Sequence, residues 1–502
     1  MTEKSNINIG FEKEIWDAAC ELFGHISAAD YRKVIIGLIF LRYISCAFDK
    51  LHQKLVEEGW GFEEDPTAYL AENIFFVPEV ARWKVIADAA HTPEIGTVID
   101  NAMRAIEAEN SSLKNVLPKI YADQSIDKRV LGNVVDIFTN KIKMDDVDNS
   151  QDLLGRTYEY CINKFAAYEG AKGGEFYTPQ SIVKTIVEIL KPFKNCRVYD
   201  PCCGSGGMFV QSVKFIQSHS GNRDAVSVYG QESNSDTWKM AKINMAIRGI
   251  AANLGANNAD TFFNDLHPQL KADFIMANPP FNLSNWGQEQ LKDDIRWKYG
   301  IPPSGNANYA WIQHMIYHLS PNGKIGLVLA NGALSTQTSG EGEIRKKIIE
   351  DDLIEGIIAL PPQLFYSVTI PVTLWFITKN KAQKGRTVFI DARRMGTMVD
   401  RKHRVFTDED IQKLSDTFTV FQNGELKDKK GFCAVATTED IAKQDYILTP
   451  GRYVGIEEAE DDGEPFEDKM KRLTAELSDM FKKSNELQTE IKTQLRNIGW
   501  KV

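Results

Sequence analysis

The tetrapeptide Asn278-Pro279-Pro280-Phe281 follows the apolar run ADFIMA, and its residue types suit chemistry at the exocyclic amine of a nucleobase. Such an amine is a poor nucleophile, because its lone pair is delocalised into the ring. Two acceptors aimed at its two N–H bonds favour the pyramidal, reactive nitrogen. The side-chain oxygen of Asn278 and the main-chain oxygen of Pro279 can supply them, with the proline pair holding a rigid turn that fixes both directions. Phe281 can stack on the base. Inside a duplex the amine is out of reach, so the base must be rotated out at about a few kcal/mol, which stacking and hydrogen bonds to the amine must offset. Standing alone, Asn-Pro-Pro is equally a simple turn after a strand.

A second constellation lies about 75 residues earlier. The run CRVYD ends in Asp200 and leads through PCC to Gly204, Ser205, Gly206 and Gly207, after which Met208, Phe209, Val210, Val213 and Ile216 mark an apolar helix face. A glycine turn between strand and helix lets a ligand approach the backbone at the carboxyl edge of a sheet. The spacing is not that of a dinucleotide fingerprint, and no phosphate loop occurs, so phosphate-bearing ligands lose ground. Glu232 ends the next apolar run, where an acid can accept both hydroxyl hydrogens of a ribose. Two acids and a glycine turn suit an adenosine carrying a cationic amino-acid tail. The alternative is a tight helix–strand junction with no ligand.

These residues need a sheet that brings both turns to one edge. From about residue 151 to 400, short β-rich runs alternate with helical stretches: CRVYD (196–200), VSVYGQE (226–232), ADFIMAN (272–278), KIGLVLA (324–330), IEGIIAL (354–360) and PVTLWFI (371–377). That alternation predicts an open, mainly parallel α/β sheet covered by helices. Thr178 is expected to cap a helix starting at Pro179, with Ile182, Val183, Ile186, Val187 and Leu190 as its apolar stripe. The free N–H groups at that helix start can receive a carboxylate. The first 150 residues read as helical, with Ile35, Leu38, Ile39, Leu41 and Ile44 at three- and four-residue intervals. After the acidic run EEAEDDG (457–463), Met470, Leu473, Leu477, Met480, Leu487, Ile491 and Ile498 follow a heptad register broken by Ser484 and Gln494. That tail is expected to pair with another chain.

The chain has 502 residues, 43% hydrophobic and 25% charged, which excludes collagen-like, mucin-like and wholly disordered classes. Seven cysteines without a Cys-x-x-Cys pair point to reduced thiols rather than a zinc set. No apolar window is long enough to cross a bilayer, and the amino terminus does not read as a secretory signal, so a cytoplasmic location is expected. Net charge is −10, which argues against a free-standing tight DNA binder. Its distribution is uneven: residues 1–150 hold 16 Lys and Arg against 25 Asp and Glu, whereas residues 151–400 hold 26 against 23. A DNA enzyme whose grip comes from a partner remains compatible.

GGEFYTPQSIV (173–183), DPCCGSGG (200–207) and NPPF (278–281), in that order, resemble the amino-methylating DNA methyltransferases in which cofactor motifs precede the catalytic one. More closely, the chain resembles the modification (M) subunit of type I restriction–modification systems, over nearly its whole length. The resemblance implies a Rossmann-like, S-adenosylmethionine-dependent methyltransferase core at 151–456, a helical amino-terminal domain at 1–150 and an assembly helix at 464–502. It implies S-adenosylmethionine as methyl donor and N6 of adenine as acceptor. Glu175, Phe176, Tyr177, Thr178, Pro179 and Gln180 match the segment closing over the methionine end, and Ser205 to Gly207 match the glycine turn. Glu232 matches the ribose-binding acid, and Asp260 the position that contacts the cofactor's adenine. Asn278, Pro279 and Phe281 match the catalytic group. The implied partners are double-stranded DNA, a specificity (S) subunit that reads the sequence, a second M subunit and a restriction (R) subunit.

Other readings of the same residues are methylation of cytosine N4, of an RNA base or of a protein glutamine amide, and a scaffold with an inactive site. His314 and His318 have metal-ligand spacing on a helix but no adjacent Glu, which favours packing over a metal. The segment 335–342 with Arg345, Lys346 and Lys347 reads either as a mobile lid touching phosphates or as a solvated helix start. Cys202 and Cys203 read as small turn residues.

Overall fold

The computed structural model describes residues 28–72, 74–140, 160–161, 178–220, 226–365, 371–401, 403–456 and 466–497, with Cys20 and Trp500. The expected sites Glu175, Phe176 and Tyr177, the acidic run 457–463 and Ile498 lie outside these residues. The chain divides into two compact units, Met1–Gly455 and Ile456–Val502.

Among the described residues, five α-helices build the amino-terminal part of the first unit: α1 (Ala28–Glu58), α2 (Pro66–Ala71), α3 (Trp83–Asp88), α4 (Ile95–Glu109) and α5 (Lys128–Asn140). The apolar positions of α1 named above are fully buried, in one core with Ile99, Met103 and Ile106 of α4 and Leu131, Val134 and Phe138 of α5. Asp100, buried on α4, accepts from the N–H groups of Tyr121 (3.1 Å) and Ala122 (3.2 Å), which ties the connection before α5 to the bundle.

The remainder is an α/β fold. Strands β1 (Cys196–Asp200), β2 (Val226–Gly230), β3 (Ala252–Asn253), β4 (Ala272–Ala277), β5 (Leu319–Ala330), β6 (Ile354–Ala359), β7 (Val372–Thr378) and β8 (Arg386–Asp391) join a final strand, Cys433–Thr437. A separate two-stranded ribbon, β9 (Thr397–Met398) and β10 (Arg404–Val405), precedes that last strand, β11. The nine-stranded order is β11-β8-β6-β7-β5-β4-β1-β2-β3. Pairings among β1 to β5 are parallel, whereas β7 runs antiparallel to both β5 and β6, and β11 antiparallel to β8. The expectation of a mainly parallel sheet therefore holds with an antiparallel insertion. A parallel return needs a crossover, usually a helix, and the described residues between β6 and β7 hold no helix.

Alternation along the strands feeds two cores. Cys196 and Val198 of β1 and Phe274 and Met276 of β4 pack on one face with α6 (Gln180–Leu190) and α7 (Gly207–Ser220). Tyr199, Ile275 and Ala277 face the other way. Between β2 and β3 lies α8 (Ser235–Ile247). The second face is covered by α9 (Asn308–His318) and α10 (Glu341–Glu350), while α11 (Asp408–Gln422) joins the first and α12 (Thr438–Lys443) follows β11. Arg345 on α10 is 1% exposed and donates to the carbonyls of Tyr446 (2.7 Å) and Thr336 (2.6 Å), so this cation braces the segment 335–342 from within. Among the described residues no helix is long and apolar enough to cross a membrane.

The second unit contains one long helix among its described residues, α13 (Phe466–Asn497). Its heptad residues Met470, Leu473, Leu477, Met480, Leu487 and Ile491 are all exposed.

Candidate active site

Strand β1 pairs with β2 on one side and β4 on the other, so chain order reverses between them and a crevice opens at their carboxyl ends. The Pro201–Gly207 turn leaves β1 at this edge, and Asn278 leaves β4. Between the two turns lies a cavity of about 360 Å³, within the usual range of small-molecule sites. Of the residues singled out in the sequence, Thr178, Asp200, Gly204, Ser205, Gly207, Glu232, Asp260, Asn278 and Pro280 line it. Pro179, Gln180, Gly206, Pro279 and Phe281 are not among the lining residues.

The glycine turn needs left-handed backbone twice, at Gly204 (φ +53°) and Gly206 (φ +82°). The two differ in what surrounds them. A Cβ on Gly206 would meet Met245 at 2.8 Å, whereas one on Gly204 would meet nothing within 4 Å. Gly204 thus keeps space open for a ligand. Its N–H donates to Glu232 Oε2 at 3.1 Å, while Asn234 N–H donates to Oε1 at 2.8 Å. Glu232 therefore ties the end of β2 to the turn after β1. Asp200 is 2% exposed, and burial raises its carboxyl to about 7 despite a 3.0 Å hydrogen bond from Cys202 N–H; the nearby Glu232 charge pushes the same way as burial.

Asp260 Oδ1 accepts from the N–H groups of Phe262 (2.8 Å) and Phe263 (3.2 Å), folding the loop around its own carboxylate. Arg296, 6% exposed, clamps that loop from below by donating to Thr261 O (3.0 Å) and Phe262 O (2.5 Å), and is itself paired with Asp294 at 2.6 Å. The same guanidinium donates to His314 Nδ1 at 3.0 Å. That bond makes Nδ1 an acceptor, so the other ring nitrogen of a neutral His314 carries the hydrogen toward Tyr199 OH, 3.0 Å away. His318 bonds Leu270 O (3.0 Å) and Asp265 (2.8 Å). Asp265, His314 and His318 bring potential ligand atoms within 4.8 Å of one another, but a cation beside His314 and protein partners on each ring nitrogen make the cluster a hydrogen-bonded brace beneath β1. Burial, His318 and Arg296 all hold His314 well below its ordinary range, keeping it neutral.

Asn278 is oriented across 100 positions of sequence: its Nδ2 donates to Thr178 Oγ1 at 2.9 Å. This corrects the expected helix start. The helix begins at Gln180, Pro179 is its cap residue, and no side chain caps it; the Thr178 hydroxyl instead bonds the Asn278 amide. Asn278 Oδ1 is buried and has no hydrogen-bond partner among the described residues. Among the described residues no N–H donates to the Pro279 carbonyl either. Phe281 is half-buried, edge-on to Phe365 at 6.3 Å. The chain then turns through Asn282 (φ +54°), whose N–H donates to Asn308 Oδ1 (3.1 Å) while its own Oδ1 accepts from Asn308 Nδ2 (3.0 Å). Asn308 at the start of α9 is 1% exposed, so this amide pair fixes the exit of the tetrapeptide.

Arg32, Phe262, Leu283 and Trp311 also line the cavity and were not singled out in the sequence. Arg32 arrives from α1 of the helical domain, and Trp311 sits one turn into α9. Neither stands in a local motif, so only a three-dimensional contact could have found them.

A family model described as N-6 DNA Methylase matches residues 149–462, and one described as HsdM N-terminal domain matches residues 11–138. The chain is 48% identical to the type I restriction enzyme HindI methylase subunit of Haemophilus influenzae, over 84% of this chain and 100% of that one. It is 40% identical to the MjaIX methylase subunit of Methanocaldococcus jannaschii, over 98% and 92%. Among solved structures, a type I restriction–modification methyltransferase subunit from Streptococcus thermophilus superposes with TM-score 0.77 at 24% identity, covering 89% of this chain and 99% of that one, which shows the methyltransferase fold. On the glycine turn after β1, the Asn-Pro-Pro-Phe turn after β4 and these matches over almost its full length, the chain belongs to the N-6 DNA methylase family, among the methylase subunits of type I restriction enzymes.

Proposed function

We propose that this methylase subunit transfers a methyl group from S-adenosylmethionine to N6 of a flipped-out adenine in double-stranded DNA, at a sequence chosen by a specificity subunit. The observation that carries this reading is the buried, unpartnered Oδ1 of Asn278 on the wall of the cavity. A buried acceptor without a donor costs about 1–3 kcal/mol. A base amine supplies that donor.

The wall fits the cofactor. Glu232 offers acceptors for ribose hydroxyls, Asp260 an acceptor for an exocyclic amine, and Gly204 leaves room beside the backbone. S-adenosylmethionine, when bound, supplies an electrophilic methyl group on a sulfonium. The protein's part is positioning: Asn278 and the Pro279 carbonyl accept the two N–H bonds of the target amine, turning its lone pair out of conjugation. Thr178 Oγ1 takes a hydrogen of the Asn278 NH2 and so leaves Oδ1 as the acceptor offered to the amine. Glu175, Phe176, Tyr177, Pro179 and Gln180 close over the methionine end in this reading, and Phe281 stacks on the base. The assembly contains two copies of this subunit on one specificity subunit, joined by α13, and accepts a restriction subunit.

Co-expression with the specificity subunit and mapping of modified bases in host DNA tests the whole reading. N6-methyladenine at one recognition sequence is expected. Asn278→Ala should lower it at least about a hundred-fold, with affinity for S-adenosylhomocysteine unchanged in calorimetry. A mark on cytosine N4, or none on DNA, would overturn the proposal.

A further inference from the structure

Another buried polar atom of the same cavity wall, Nε1 of Trp311, has no hydrogen-bond partner among the described residues. The indole is 5% exposed and packs against Phe262 with ring centroids 4.3 Å apart. An indole N–H is a donor only, so among the described residues the wall carries an unmet acceptor at Asn278 and an unmet donor at Trp311. Phe262 belongs to the loop that begins at Asp260, which puts the donor on the Asp260 side. Two main-chain donors there are already spent, since the N–H groups of Phe262 and Phe263 both go to Asp260 Oδ1.

A ligand edge that gives an N–H to a carboxylate and takes one from a neighbouring donor is an amino group beside a ring nitrogen. Adenine offers that pattern on both sides of its amine, at N7 and N1. We propose that Trp311 donates its indole N–H to a ring nitrogen flanking the amino group of the cofactor's adenine, so that Asp260 and Trp311 together select that base. This deepens the reading of the cavity as the S-adenosylmethionine site and rests on it. A carbonyl in place of the amine, as in an inosine analogue, would face the Asp260 carboxylate with an acceptor and be rejected.

The test is calorimetric titration of the full-length protein and of Trp311→Phe with S-adenosylhomocysteine and its 7-deaza and 1-deaza analogues. Trp311→Phe keeps an aromatic ring and deletes the donor. It should weaken S-adenosylhomocysteine about ten-fold. One of the two deaza analogues should bind the unaltered protein about ten-fold more weakly than the parent compound, yet bind Trp311→Phe as well as the parent does. That loss of discrimination is not produced by a substitution that merely loosens packing. Equal discrimination in both proteins would overturn the proposal. So would unaltered protein that binds both analogues as tightly as the parent, a result that needs no variant. Failure of the unaltered protein to bind S-adenosylhomocysteine at all would instead overturn the cofactor reading itself.

Discussion

Asp200 is a residue of the cavity wall whose chemistry is changed by its place in the fold. Its carboxyl titrates at about 7 rather than near 3.8 because it is buried. Between those values the folded protein holds a proton that the unfolded chain has released, so this group's contribution to stability falls as pH rises from about 4 to about 7 and is level above. A cationic ligand in the cavity favours the ionised form. Binding of S-adenosylmethionine at pH 6.5 is therefore expected to release a proton, with affinity rising as pH approaches and passes 7. Calorimetry in buffers of different ionisation heat measures that release, and Asp200→Asn should abolish it; equal heats across buffers would contradict the expectation. The importance of an acid at this turn was legible in the sequence, but its protonation was not, because burial depends on the whole sheet. Thr178 makes the same point. Its type and its place before a proline fit a helix cap, yet its hydroxyl is claimed by Asn278, a partner that only the pairing of distant segments supplies.

The turn after β1 and the turn after β4 were legible because each follows a buried strand whose continuous apolar run stands out locally. The antiparallel course of β7, and the strands β8 and β11 at the far edge, were not, since strand direction follows from connection geometry rather than composition. At the glycine turn the two left-handed positions separate binding from folding. Alanine at Gly204 meets no neighbour, so it costs only its backbone conformation, about 1–2 kcal/mol, while its methyl group takes ligand space. Alanine at Gly206 meets Met245 at 2.8 Å and adds a packing cost. Gly204→Ala is thus expected to lose cofactor affinity with the smaller drop in melting temperature, and Gly206→Ala to show the larger one. Paired thermal melts and titrations check the order, which would be reversed if Gly206 rather than Gly204 faced the ligand.

In the chain as a whole, the tail helix stands out for its exposed apolar row. At 32 residues α13 extends about 48 Å, and its heptad residues are exposed. A row of large apolar side chains on a lone helix is poorly stable in water without a partner. Deleting 464–502 should leave S-adenosylhomocysteine binding intact but weaken the complex with the specificity subunit and its DNA methylation; an unchanged elution position on size exclusion would contradict this. Within the first unit, α1 is joined to the methyltransferase fold through α8: Lys33 pairs with Asp236 at 2.8 Å, and Met240, Ile243 and Ile247 belong to the helical core. The neighbouring Arg32 forms part of the cavity wall. The pocket is therefore a composite, closed on one side by a borrowed element. A molecule that touches Arg32 fastens the helical bundle to the sheet, and by the reciprocity of linkage any force that prises the bundle away loosens the molecule by the same free energy.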